Sequence, residues 1–417
     1  MFFSNCTYEE IEPFINAFGK CNKAKISLNE LTLFRKTIIN LFKDIYDSYS
    51  NININISTID VKYNNYPNVM PKIITETKFL DKEIHGFLIN NKINQIHVSH
   101  IINNFPIDIF LNVFEFNGKV NVNKYIKYIL TWLTICFKYS STHCIKSLKL
   151  HIFFTPFTKK LPDNLEHILG AKHVNSGVTN ACKIDGEIVV YREEEWFKVL
   201  IHETMHAFGF DFSNDDMIDV KQRMVKIFNV KSDFLIYEAY SETWARLINC
   251  AFCGFKNLKN KKDEKNFIIN VEFCFELERM FSAFQCVKIL DFMKFRYTDL
   301  IESTGNSKIL EKYIENSNVF AYYVISSIFM NSYQEFIVWC NNNDLGIVSH
   351  VDFSYDKINS LIEFIRQYRN CETMNKLISE MESIYTKLFD KSHKSILGLS
   401  TRMTIISTIS TISTIKI

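Results

Sequence analysis

The chain has 417 residues, 47% hydrophobic and 23% charged, which is the make-up of an ordinary folded protein with material for two or three domains. Lys and Arg number 48 against 46 Asp and Glu, a formal net charge of +2, so no basic excess points to nucleic acid or to a membrane surface as partner. No uncharged apolar run reaches spanning length, and the start MFFSNCTYEEIEPF lacks the positive n-region and long apolar core of a signal peptide.

Residues 1–118 read as a mixed α/β region of unassigned role. Ile11 to Phe18 and Leu28 to Tyr49 have helical spacing, and NININISTI (51–59) alternates with period two. Tyr63 to Pro71 is broken by Asn and Pro and reads as loop. His97 and His100 stand apart from other ligand types and read as ordinary histidines. Val122 to Tyr139 is an apolar helix, and LKLHIFFT (148–155) is a buried strand that stops at Pro156. His173 to Thr179 and Glu187 to Tyr191 read as short strands around an Asp185-Gly186 turn.

Next comes WFKVLIHETMHAFGFD (196–211), which holds His202, Glu203 and His206 as H-E-x-x-H. On a helix, residues i and i+4 share a face, so both imidazoles can point at one ion. Glu203 is rotated roughly 100° from His202, where a carboxylate can take a proton from a metal-activated water. Acidic residues at 193–195 mark the helix start and Gly209 its stop. The plain alternative is an amphipathic helix with two packed histidines.

A catalytic zinc site needs a third protein ligand. Six residues beyond His206 stands Phe212, with Asp211 one residue short, so the spacing that would take a ligand there fits badly. Asp215 and Asp216 suit a helix start, where acids belong anyway. Glu238 and Glu242 lie four apart on one face of a predicted helix, YEAYSETWARLI (237–248). Ser213 or Asn214 can cap a linker helix through Ile227, and Ser232 the helix that carries Glu238.

This arrangement resembles the gluzincin metallopeptidases. It is closest to the catalytic domain of anthrax lethal factor, whose third-ligand helix reads EFFAEAF against EAYSETW (238–244) here. The likeness covers the two helices only. It implies Glu238 as third zinc ligand and Glu242 as the acid that orients a ligand histidine, with the reverse assignment open because many gluzincins carry Asp where Glu242 stands. It also implies a Tyr near the developing oxyanion, for which Tyr237, Tyr322 and Tyr323 are eligible, and an edge strand at Asn175 to Gly177 that takes an extended peptide; His173 beside it reads as an ordinary surface histidine rather than a pocket residue.

Past the charged run KNLKNKKDEK, helical stretches at 267–297, 319–331, 333–339, 358–369 and 374–389 suggest an all-helical lower part. The tail TIISTISTISTIKI is a low-complexity repeat that reads as poorly ordered. The 11 Cys read as buried thiols, which fits a reducing, cytoplasmic setting; Cys250 and Cys253 lack a second pair and make a poor zinc site. Heavy use of Phe, Asn, Ile and Lys suggests an AT-rich genome, such as that of a large DNA virus, a protist or a low-GC bacterium.

The sequence therefore predicts an α+β, zincin-like fold with a small mixed sheet. Its parts are an N-terminal region (1–118), a catalytic subdomain (119–255), a helical subdomain (256–395) and a tail (396–417). The expected activity is Zn²⁺-dependent hydrolysis of peptide bonds, with His202, His206 and Glu238 on the metal and Glu203 as base. A metal-dependent hydrolase of another substrate, or a zinc-binding scaffold without turnover, are the other classes.

Overall fold

The structure, a computed structural model, describes residues 8–52, 59–64, 71–77, 80–91, 93–114, 122–141, 143–163, 168–213, 218–228, 230–301, 312–346, 354–391 and 396–407. Asp215, Asp216, most of the NININISTI stretch and the last ten residues of the tail lie outside them.

Helices α1 (Tyr8–Ala17) and α2 (Leu28–Asn51) come first, the second started by a capping box of Ser27 and Glu30. Strand β1 (Ile59–Asn64) and helices α3 (Lys72–Glu76) and α4 (Lys82–Asn90) follow. Strands β2 (Ile93–Ile102) and β3 (Phe105–Val113) form a hairpin. Its turn residues Asn103 and Asn104 have φ of 50° and 70°, the left-handed geometry of a two-residue type I′ turn. Then come α5 (Val122–Tyr139), β4 (Ser147–Phe154), α6 (Ala171–Val174), β5 (Gly177–Thr179) and β6 (Asp185–Val190). Helices α7 (Trp196–Ala207), α8 (Ile218–Ile227), α9 (Ile236–Lys256) and α10 (Glu264–Phe292) complete the central part. A π-helical turn, Phe320–Ile325, leads into further helices. The architecture is α+β.

The sheet has six strands in the order β1-β2-β3-β4-β6-β5. Strands β3, β4 and β6 are parallel neighbours, whereas β5 runs antiparallel to β6 at one edge. Ile96, Ile109, Leu150 and Ile188 face the main core with α5 and α7, and Phe153 and Val189 face a smaller cluster under α3 and α4. The main core runs unbroken from Ile11 and Phe34 through Tyr125 and Phe252 to Phe281 and Ile406, across residues 118 and 255.

Four local expectations need correction. Asp185-Gly186 lies inside β6 rather than in a turn; a Cβ on Gly186 would come within 2.8 Å of Ile145 Cδ1, so close packing explains the glycine. Ser232 does not cap α9, which begins after Leu235 without a side-chain cap; its hydroxyl donates to Glu315 Oε1 at 2.5 Å instead. Cys144 and Cys182 are not thiols but a disulfide. Each stands three residues before a register partner, Ser147 and Asp185, so the parallel pairing of β4 and β6 brings them together. The other described cysteines are free, and all but Cys371 are buried.

The fourth correction concerns the tail, whose first part is not loose. Ser400 to Ile406 are buried, and Met403, Ile405 and Ile406 contribute roughly 1.5–3 kcal/mol each. Burial of a polar, Thr-rich segment is possible because buried side chains take up its backbone groups. No helix of the described residues is long and apolar enough to cross a membrane.

Candidate metal centre

Helix α7 is buried along almost its whole length, with Val199, Leu200, Ile201 and Met205 in the main core. Its stop is a Schellman motif: Phe210 N–H donates to Met205 O at 2.8 Å and Gly209 N–H to His206 O at 3.1 Å. Gly209 has φ 67°, which glycine adopts without cost. The start differs from expectation. The first turn holds no acid, and the N-cap Glu195, at φ 60°, makes no capping bond. Its carboxylate instead pairs with buried Lys159 and accepts from the amides of Met403 and Thr404.

Helix α9 crosses α7 and brings Glu238 to the two imidazoles. His202 Nε2 and His206 Nε2 are 3.1 Å apart, and Glu238 Oε2 lies 3.2 Å from the first and 3.5 Å from the second. A tetrahedral ion with bonds of roughly 2.0–2.1 Å has ligand atoms roughly 3.3–3.4 Å apart. The three donors already stand at that spacing, so this group could hold a metal ion.

The surrounding carboxylates differ in what else they hold. Both Glu242 oxygens accept from Lys198 Nζ, at 3.0 and 2.9 Å, and Oε1 also accepts from Arg246 Nε at 2.9 Å. Burial disfavours its charge, yet these two cations hold its pKa well below the usual carboxylate range. Beside the two imidazoles, Glu238 accepts from neutral donors, Asn318 Nδ2 at 3.1 Å and Tyr322 OH at 3.0 Å. Glu238, with no Lys or Arg ion pair among the described residues, is thus the carboxylate that could join the two imidazoles on an ion. Glu242 Oε2 sits 3.3 Å from His202 Nδ1, although that nitrogen lacks a well-aligned hydrogen bond. The contact places Glu242 on the Nδ1 side of the imidazole, away from Nε2, which faces Glu238.

Sequence reasoning missed the matching partner of the other histidine. Asp211, just past the Gly209 turn, contacts His206 Nδ1 and accepts from Ser241 Oγ at 2.8 Å and Ser213 Oγ at 2.8 Å. Burial alone would favour neutral imidazole at both histidines. Asp211 and Glu238 outweigh it at His206, and Glu238 and Glu242 at His202, so both pKa values are raised. The signal available was an acid just past a helix-stopping glycine, on a chain that must turn back toward its own helix.

Glu203 is 7% exposed and shares a cavity with His202, Gly177 and Tyr322. Burial pushes its carboxyl pKa up, against the pull of the two histidines. A Cβ on Gly177 would stand 2.7 Å from Glu203 Oε1 and 2.8 Å from Val199 Cγ1, so glycine at the first position of β5 leaves room for the carboxylate. Of the three tyrosines, Tyr322 reaches the group, on a π-helical turn of the kind frequent at functional sites. Its burial raises its pKa well above the ordinary value, with Glu238 adding to this, and keeps the hydroxyl a donor. Tyr237 packs its ring edge-on to His206 at 6.1 Å. Tyr323 points away and donates to Thr401 O. Phe212 packs against Tyr237 and Tyr240. His173 accepts from Gly170 N–H at 3.2 Å, and His97 pairs with Asp108 at 2.8 Å; both stand outside the cluster.

Comparison with protein-family models, with curated proteins and with solved structures found no match.

Proposed function

We propose that the chain is a zinc-dependent metallopeptidase of gluzincin type, with a zincin-like catalytic fold. The observation that carries this is the donor spacing of 3.1–3.5 Å among His202, His206 and Glu238, with Glu203 buried in the adjoining cavity. Two imidazoles and one carboxylate are the donor set of a hydrolytic zinc site. Bound there, Zn²⁺ would polarise a carbonyl oxygen and lower the pKa of water toward roughly 7.

The protein groups then have distinct tasks. Glu203 takes the proton of the attacking water and returns it to the departing nitrogen. Its raised pKa suits a group that must both accept and release. Asp211 and Glu242 orient the two imidazoles from behind, and such partners also raise ligand basicity. Tyr322 stands ready to donate to the oxygen on which charge grows. The outer edge of β5 pairs with no strand among the described residues, so an extended peptide can add there by strand pairing.

The test is zinc content and digestion of a peptide library by wild type, Glu203→Gln and His206→Ala. Glu203→Gln should keep zinc and lose cleavage, whereas His206→Ala should lose both. Cleavage by Glu203→Gln at the wild-type rate would remove Glu203 as the base. A zinc-loaded wild type that cleaves no peptide would remove the peptidase reading.

A further inference from the structure

The buried segment Ser400–Ile406 is held by side chains rather than by a sheet ladder. Met403 N–H and Thr404 N–H donate to Glu195 Oε1 at 2.7 and 2.5 Å. Ile405 N–H and Ile406 N–H donate to Glu278 Oε1 at 2.9 and 3.0 Å. Gln285 Nε2 donates to the carbonyls of Ser400 and Arg402, at 3.2 and 2.6 Å. Glu278 and Gln285 lie on α10, and Glu195 is the residue that starts the metal-site helix. The path of the segment is thus fixed relative to that helix, and so is the side chain of Met403.

Met403 Sδ lies 3.8 Å from Lys198 Nζ, and Met403 forms part of the wall of the Glu203 cavity. That cavity measures about 40 Å³, room for about three water-sized groups. Ser176, one residue before β5, also lines it; the residue is 4% exposed and its hydroxyl has no hydrogen-bond partner. A buried hydroxyl in that state is unusual enough to suggest a missing ligand. The two ammonium groups of the lining, Lys159 and Lys198, are already paired with Glu195 and Glu242. Neither is left over for an acidic group.

We infer that this cavity receives a substrate side chain flanking the scissile bond and selects serine or threonine there, with Met403 setting its depth and Ser176 supplying the polar contact. The inference rests on the peptidase reading above. Volume excludes long and aromatic side chains. The unpartnered hydroxyl favours a side chain that can donate or accept over an apolar one of the same size, because polar groups left unpaired penalise the wrong ligand.

The experiment has two arms. In the first, zinc-loaded wild type, Met403→Ala, Met403→Leu and Ser176→Ala each digest a mixed peptide library, and cleavage sites are read by mass spectrometry. In the second, calorimetry measures binding of two peptides, alike except for Ser or Leu at the flanking position, to the Glu203→Gln form. Wild type should enrich Ser and Thr at one flanking position, and the Ser peptide should bind tighter. Met403→Ala should raise the relative kcat/KM for Leu and Met about tenfold, and Ser176→Ala should cut the preference for Ser over Ala about tenfold. Met403→Leu, close in volume, should keep the wild-type profile.

A wild type that cleaves without preference at either flanking position overturns the inference and leaves the peptidase reading standing. So does a profile unchanged in both Met403→Ala and Ser176→Ala. If wild type cleaves nothing, the binding arm decides: tighter binding of the Ser peptide keeps the cavity assignment without proteolysis, and equal or absent binding removes it. Ser176→Ala and the binding arm carry the test should Met403→Ala fail to fold.

Discussion

Replacing Gly177 by alanine tests the site through one added methyl group. The new Cβ would stand 2.7 Å from Glu203 Oε1, 2.8 Å from Glu203 Cγ and 2.8 Å from Val199 Cγ1, where ordinary contact begins at 3.4 Å. The shortfall is about 0.7 Å against neighbours that are themselves buried. Backbone conformation adds nothing, because Gly177 does not occupy the left-handed region. Overpacking of this kind costs about 1–3 kcal/mol. Val199 is held in the core, so the displacement falls mainly on the Glu203 carboxylate. A shift of about 1 Å at a reacting group can cost about 100-fold in rate. We expect Gly177→Ala to remain folded by thermal melt, to hold zinc as wild type does and to lose about 100-fold in kcat/KM on a cleaved library peptide. Full activity in a folded Gly177→Ala would show that the carboxylate does not work from that cavity.

Two further outcomes follow from the buried acids. Asp211→Asn keeps the shape behind His206 but loses the charge that orients it, so zinc affinity measured by chelator competition should fall about 10–100-fold; unchanged affinity would show that the charge of Asp211 is not what orients the ring. Burial raises the Glu278 carboxyl to about 7 from an ordinary 4.5. The folded chain then holds that proton when the unfolded chain has lost it, so the stability it contributes is complete below pH 4.5 and is lost as pH rises through 7. The difference amounts to about 3 kcal/mol. Glu278→Gln should flatten the fall in melting temperature across that range, and an equal fall in both proteins would exclude Glu278 as its source.

The helices that carry the site were legible because their signals are local. His202, Glu203 and His206 share a turn of helix, Gly209 marks its stop, and the four-residue step from Glu238 to Glu242 is a helical period. What the spacing could not decide was which carboxylate faces the ion. That depends on Lys198 and Arg246, which are buried against Glu242 through packing that no local spacing encodes. The β2–β3 hairpin had a cue in Asn103-Asn104, a residue pair that tolerates the left-handed turn seen there. The Cys144–Cys182 disulfide follows from strand register, which no single stretch encodes. The C-terminal segment misled for a physical reason: Thr and Ser repeats look solvated, and groups distant in sequence, Glu195, Glu278, Gln285 and Tyr323 among them, make burial of the Ser400–Ile406 backbone tolerable.

The central claim is that Glu238, with His202 and His206, holds the ion while Glu242 stands behind. Its most direct test is zinc per chain, by mass spectrometry of metal content, in wild type, Glu238→Ala and Glu242→Gln at matched free zinc. The account predicts one zinc in wild type, none retained in Glu238→Ala and near one in Glu242→Gln. Full zinc in Glu238→Ala together with loss in Glu242→Gln would contradict it.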